Sequence, residues 1–442
     1  MPETNAKLTR RSVLAATALS ALGSSTAVAR LQSSVDAGST ASVDDGGLTR
    51  DETGWPQPGY DNGRTAYSGA SAPTTELSVA WERDDSDRPF LVAGGRLYYS
   101  VDGDEATTVH AVDAADGSDL WTTEVGSEAY AGSRALGRHA GAVVDGRVFF
   151  CTYGRTVALD AEDGSELWSA DTGGMSVGVT ADSVVVGNTN GELTVLSRED
   201  ANVRWRRDLD VTLQFAVVDG VVYVSTDGSD ESLVVALRVD DGSELWSGSF
   251  ESDHGFVAAT DDQVYYWRAN EFYTLDADTG ETLWTKEGGT LDYGEVENVA
   301  LHAVGAGVVY ATVDEEFGAY DAETGEAQWT VESSPSTSGP TVAGDVMYST
   351  AYNGVDETET LVVRSLDGDV VAEHGVEGVS GEVIPTADAL YVTTRDDRLL
   401  ALRGSSEDGS DGDDGESEDG NDDGDETGES DESDGSDVDD GC

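Results

Sequence analysis

Beyond residue 50, apolar side chains come in runs of five to seven, rich in β-branched and aromatic residues and separated by Asp-Gly turns; no stretch keeps a helical period. The segment GAVVDGRVFFCTYG reads as a strand, a turn at Asp145-Gly146 and a second strand. TVALD supplies a third strand, AEDG a turn and SELWSAD a fourth. The pattern predicts a four-stranded antiparallel meander.

That meander is written repeatedly. TVALDAEDGSELW, ending at Trp168, recurs as VHAVDAADGSDLW to Trp121, VVALRVDDGSELW to Trp246, FYTLDADTGETLW to Trp284 and FGAYDAETGEAQW to Trp329, with a worn copy, LTVLSREDANVRW, to Trp205. With Trp81, these seven indoles lie 37 to 47 residues apart, a spacing that marks a repeat architecture. One large ring per repeat at one register solves one packing problem many times, which suits sheets stacked radially with tryptophans between neighbours. Gly117, Gly164, Gly242, Gly280 and Gly325 share a turn position that calls for positive φ; the worn copy has Ala201-Asn202 there, with asparagine the expected substitute. Valine at one of these glycines should cost about 1–2 kcal/mol.

Counting gives the architecture. Second-strand segments begin near residues 96, 147, 183, 221, 263, 308, 346 and 389, which makes eight. Outer strands are also eight, counting DVVAEH, where Glu373 is read in the place of the ring, but they are offset by one. If LSVAWER (77–83) pairs with LLALR (399–403), both orphan edges disappear. The expected fold is all-β: an eight-bladed β-propeller of four-stranded antiparallel blades, closed by the N-terminal strand.

Charge changes the picture of the surroundings. The net charge of the 442 residues is −65, and the 38 residues from 405 carry nineteen acids and no base. The first 29 residues are at +2, which leaves −48 for residues 30–404. Such a surface is tolerated where molar salt screens it, as in a halophilic archaeon, and it disfavours nucleic acid and anionic membranes as partners. Arg10-Arg11, a short apolar run and Ala27-Val28-Ala29 predict a twin-arginine export signal over residues 1–29 and an extracellular or cell-surface location without stable membrane insertion. Residues 30–50 read as a disordered linker, 51–404 as the propeller and 405–442 as a disordered acidic tail. In the tail, Asp419, Asn421, Asp423 and Gly424 begin like a calcium loop, but Ser430 stands where the loop needs glutamate. Cys151 and Cys442 make no disulfide framework, and Cys151 reads as a buried thiol.

The pattern ALDAxxGxxxW, the opening WPQPGYDNGRTAYS at 55–68 and SPSTSGPTVAGDVMY at 334–348 resemble the repeats of pyrroloquinoline-quinone-type propellers. That family holds quinoprotein dehydrogenases and the propeller lipoprotein of the bacterial outer-membrane assembly machine, and the resemblance covers about residues 51–404. It implies either a pyrroloquinoline-quinone-dependent alcohol or sugar dehydrogenase, with quinone, calcium and a catalytic aspartate near the axis, or a non-catalytic scaffold. A vicinal disulfide, common in the dehydrogenases, is missing, and no Glu, Asn and Asp triad for calcium is recognisable. His110, His139, His254, His302 and His374 fall in different repeats without zinc spacing, and no GxSxG elbow occurs. The leading reading is a monomeric binding scaffold with no catalytic residue, metal or cofactor, its partner another exported or membrane protein or a cell-surface polymer; the alternative is the dehydrogenase with pyrroloquinoline quinone and calcium.

Strand parity divides the loops into two faces. Turns between first and second strands and between third and fourth are short and alike; those between second and third, with the links between blades, are long and varied. Recognition is expected on the varied face. There Arg134, Arg138 and His139, in the longest link, are the candidate contacts for an anionic ligand or a partner's carboxylates. Arg204, Arg206 and Arg207 are expected to form ion pairs with adjacent blades.

Overall fold

The computed structural model describes residues 54–404 except 62, 85–86, 103–105, 127–140, 153, 189–190, 210, 227–231, 251–254, 269, 289–298, 315, 333–338, 354–357 and 397. It contains eight antiparallel blades and no helix among the described residues. In blades 1 to 7 the strands a, b, c and d run in chain order from the axis to the rim. Blade 8 takes its a, b and c strands from Val379–Pro385, Leu390–Thr394 and Leu399–Arg403, and its d strand from Ser78–Arg83. The closing register pairs Ser78 with Arg403, Trp81 with Ala401 and Arg83 with Leu399. The ends of the chain thus seal the wheel.

The core is a series of seams between blades. Each seam joins valines, leucines and aromatics from facing sheets, such as Val185, Val195, Phe215, Val222 and Leu237 between blades 3 and 4. The tryptophans sit toward the outer part of these seams. Trp81, Trp121, Trp168, Trp205, Trp246, Trp284 and Trp329 each donate Nε1 to a carbonyl in the c–d turn of the next blade: Ala114, Ala161, Arg198, Val239, Ala277, Ala322 and Leu366, at 2.7–3.2 Å.

The turn glycines are the other half of this contact. Gly117, Gly164, Gly242, Gly280 and Gly325 have φ between 68° and 73°, and a Cβ at any of them would stand 2.5–2.9 Å from the indole of the preceding blade. Gly368 repeats the arrangement against Trp329. The turn glycine therefore answers two demands, left-handed backbone and a flat seat for the ring.

Two register assignments are corrected. In blade 3 the left-handed residue is Ala201, with φ 59°, and Asn202 follows it. Its methyl packs against the core that contains Trp168, so the seam has adjusted to one extra carbon. In blade 7 the residue opposite Val363 is Ala372, so alanine, rather than Glu373, stands where the other blades have tryptophan. The cause is topological. Blade 8 joins strands from opposite ends of the chain and has no c–d hairpin on which an indole could rest. The linker toward Ser78 fills the space: Tyr348 donates to the carbonyls of Ala72 and Pro73 at 2.9 and 3.0 Å, and His374 Nε2 to that of Thr74 at 3.0 Å.

All eight d strands slip register by one residue just before this position. The extra residues are Leu120, Leu167, Arg204, Leu245, Leu283, Gln328, Val371 and, in the closing strand, Ala80. Such a bulge increases local twist. In seven blades the residue after it is the tryptophan aimed into the next seam.

Candidate functional site

The axis is the natural place for a ligand in a wheel, and here the chain itself lies across it. Residues 54–68 enter beside blade 1 and visit the innermost strands in turn. Trp55 exchanges backbone bonds with Val92 of blade 1 at 2.7 and 2.8 Å. The carbonyls of Pro56, Gly63, Thr65 and Ala66 accept from the N–H groups of Val143, Ala259, Val304 and Val342, in blades 2, 5, 6 and 7, at 2.8–3.0 Å. Blades 3 and 4 are reached by a side chain: Arg64 donates from one terminal nitrogen to Ser176 Oγ at 2.6 Å and from Nε to the Phe215 carbonyl at 2.8 Å. Tyr67–Ser68 then pairs in parallel with Thr341–Ala343 of blade 7.

These contacts repeat at one register. Val92, Val143, Ala259, Val304 and Val342 each pair with the second residue of their own b strand, and each has a backbone N–H free to donate toward the axis. In blade 8 the a–b turn is closed by Thr386 N–H on the Ala389 carbonyl, so the corresponding residue is Pro385, opposite Leu390, and proline has no N–H to satisfy. All of them lie near the a–b turns, so the strap closes the axis at the face of short, uniform turns.

The local sequence explains the path. Tyr60, Arg64 and Ala66 hold φ of 71°, 60° and 49°, a coiled backbone that the surrounding bonds enforce. Asp61 accepts from Thr65 N–H at 3.0 Å and from its hydroxyl at 2.6 Å, which closes the loop 61–65. Gly63 passes so close to blade 5 that a Cβ would stand 2.2 Å from the Ala259 carbonyl oxygen. Burial brings the Arg64 guanidinium down to about 10, against the opposing pull of Asp61. Trp55 and Gln57 are sealed, at 0 and 1 % exposure, and Trp55 Nε1 and Gln57 Oε1 have no hydrogen-bond partner among the described residues.

A quinone with calcium needs a flat slot and a cluster of oxygen donors. Among the described residues no group of three or more His, Cys, Asp or Glu is placed to hold a metal. Asp61, the aspartate of the strap, is engaged with Thr65.

The residues singled out from sequence fall as follows. Arg134, Arg138 and His139 lie outside the described residues. Arg207 does reach the adjacent blade, with its guanidinium 3.7 Å from Glu244 and 3.0 Å from the Gly242 carbonyl. Arg204 instead pairs within its own blade with Asp182 at 2.9 Å, and Arg206 lies 3.8 Å from Glu192 and bonds Thr172 Oγ1 at 2.9 Å. The charge of Arg204 is met by the nearest a–b turn, one strand pair away, before any neighbouring blade. His110 stacks on Tyr99 with ring centroids 5.0 Å apart, and His302 bonds Thr312 Oγ1 at 2.7 Å, so the described histidines do not converge. Cys151 is buried, its thiol pushed up to about 12 by burial. The strap was missed as a site because WPQPGYDNGRTAYS carries neither strand alternation nor a chemical motif. The signals were there in Pro385 and in a Pro- and Gly-rich segment lying before the first outer strand.

Comparison with known proteins agrees with this geometry. A family model of the PQQ repeat type, described as outer membrane protein assembly factor BamB, matches residues 54–176, 105–217, 154–249 and 214–410. The outer membrane protein assembly factor BamB of Yersinia pestis is 28% identical over 241 residues, which is 48% of this chain and 58% of that protein, so the match spans under two thirds of the relative. Among solved structures, the quinohemoprotein alcohol dehydrogenase of Comamonas testosteroni superposes with a TM-score of 0.59 at 16% identity, covering 80% of this chain and 81% of the other. BamB from Moraxella catarrhalis gives 0.53 at 16% identity, covering 74% and 98%. The two structures share the fold, one named as an enzyme and the other not. With its eight blades, its tryptophan-on-glycine seams and a family match that runs from residue 54 to 410, the chain belongs to the PQQ-type propeller repeat family described by BamB.

Proposed function

We propose that this protein is an exported, salt-adapted and non-catalytic docking wheel that presents its varied face to another exported or membrane protein, or to a cell-surface polymer. The observation that carries this reading is the strap: residues 54–68 fill the axis at one face with their own buried side chains, bonded to seven of the eight blades. Recognition then falls to the opposite face, where the loops differ from blade to blade. The likeness to a protein named as an assembly factor supports a scaffold. The −65 charge supports a salty exterior, and Arg10-Arg11 with the following apolar run supports twin-arginine export.

The test has two arms, both in molar salt. Protein titrated with pyrroloquinoline quinone and calcium should show no stoichiometric binding and no dye-linked oxidation of alcohols or glucose; turnover would overturn the reading in favour of a dehydrogenase. Capture from cell envelopes, comparing the intact protein with a variant carrying alanine at Arg134, Arg138 and His139, should enrich a partner that the variant loses. Equal recovery with both would remove those residues from the contact.

A further inference from the structure

We infer that segment 54–68 is a hub that turns the eight blades into one cooperative unit instead of an array coupled only between neighbours. In repeat proteins each unit normally touches just the units beside it, and opening spreads from neighbour to neighbour. Here one stretch of fifteen residues holds amides of blades 1, 2, 5, 6 and 7 and, through Arg64, the inner strands of blades 3 and 4. Blades 1 and 5 stand on opposite sides of the wheel and share no seam, yet Val92 and Ala259 both donate to this segment. The hub cannot leave one of these amides easily, because its loop is stiff: Asp61 ties Thr65, and Ala66 N–H bonds the Gly59 carbonyl at 2.9 Å. Loss of the hub therefore opens inner edges around the whole circle at once. Pro385 agrees with this, since blade 8, which none of the described hub bonds reaches, has no N–H to offer at that register.

The test is hydrogen exchange at the amides of Val92, Val143, Ala259, Val304 and Val342 in the full chain under native conditions. Low denaturant should bring all five into exchange along a single dependence. Gly63→Ala, which places a methyl against the Ala259 carbonyl, should then speed all five by a common factor, on the order of tenfold to a hundredfold. Gly325→Ala, which presses instead on Trp284 at the seam between blades 5 and 6, should in one cooperative unit also speed all five, whereas an array coupled only between neighbours would show its effect at Ala259 and Val304 alone. An effect of Gly63→Ala confined to Ala259 and its blade would overturn the inference, as would five unrelated dependences in the unaltered protein. If Gly63→Ala fails to fold, Thr65→Val keeps the shape and removes the hydroxyl bond to Asp61, and the same common shift is expected of it at smaller size.

Discussion

Gly146 and Gly164 offer a way to separate what a turn glycine does for its own backbone from what it does for a neighbour. Both lie in blade 2, with φ of 70° and 73°, so an alanine methyl strains either backbone by a similar amount, about 1 kcal/mol. Around Gly146 nothing lies within 4 Å of the new methyl. At Gly164 the methyl would stand 2.5 Å from Cε3 and 2.6 Å from Cδ2 of Trp121, and 2.8 Å from Thr123 Oγ1. The indole must retreat, which threatens its 3.2 Å bond to the Ala161 carbonyl and the 2.6 Å bond from Thr123 to the Gly164 carbonyl. Overpacking of this kind costs about 1–3 kcal/mol, and a weakened hydrogen bond about 1 kcal/mol more. Gly146→Ala should therefore lose about 1 kcal/mol and Gly164→Ala about 3–5 kcal/mol. Denaturant unfolding at fixed high salt, followed by tryptophan fluorescence and by circular dichroism, measures both. Repeating Gly164→Ala in a Trp121→Ala background should remove most of the excess over Gly146→Ala, leaving the contact with Thr123 Oγ1. Equal costs for the two substitutions in the unaltered background would refute the claim that the glycine is a seat for the ring.

Other expectations follow from the same seams. Ala201→Gly in blade 3 relieves a positive φ and restores a flat seat under Trp168, so unfolding should shift in the stabilising direction by about 0.5–1 kcal/mol; destabilisation would mean that the methyl fills a needed volume. Burial holds His302 down at about 4, from an ordinary 6.5. Above pH 6.5 it is neutral both folded and unfolded; as pH falls below 6.5 the unfolded chain takes the proton first, and the penalty grows until pH is near 4. Against His302→Asn, the unaltered protein should lose an additional 1–3 kcal/mol, roughly, between pH 7 and 4, the side chain being half-buried; parallel stability curves would dismiss the effect. Cys151, sealed and with its thiol raised to about 12, should resist thiol reagents at pH 8 until the wheel unfolds, and a Cys442→Ser variant isolates its signal.

The blade count, the closing strand and the faces were legible because they rest on spacing. A ring of eight second strands with outer strands offset by one admits a single closure, and Trp81 opposite Ala401 realises it. What escaped the sequence were features whose cause lies elsewhere in the chain. Ala201 accepts a left-handed backbone since the turn around it is set by its neighbours, which propensity at a single position does not reveal. Ala372 replaces an indole for want of a turn in the blade beyond, and that blade is assembled from residues more than three hundred positions apart. The strap was illegible for a similar reason: its carbonyls satisfy donors whose need appears only when five inner strands face one axis.

The slipped register in every outer strand has a consequence for life in company. A wheel exposes eight perimeter edges, and a straight perimeter strand invites its counterpart on another molecule to zip alongside. Where dissolved ions mute the mutual repulsion of the acids, charge is a poor guard against such pairing. An extra residue in each edge spoils the hydrogen-bond ladder that an incoming strand would need, so protection against fibrous stacking is built into backbone geometry and works at any ionic strength.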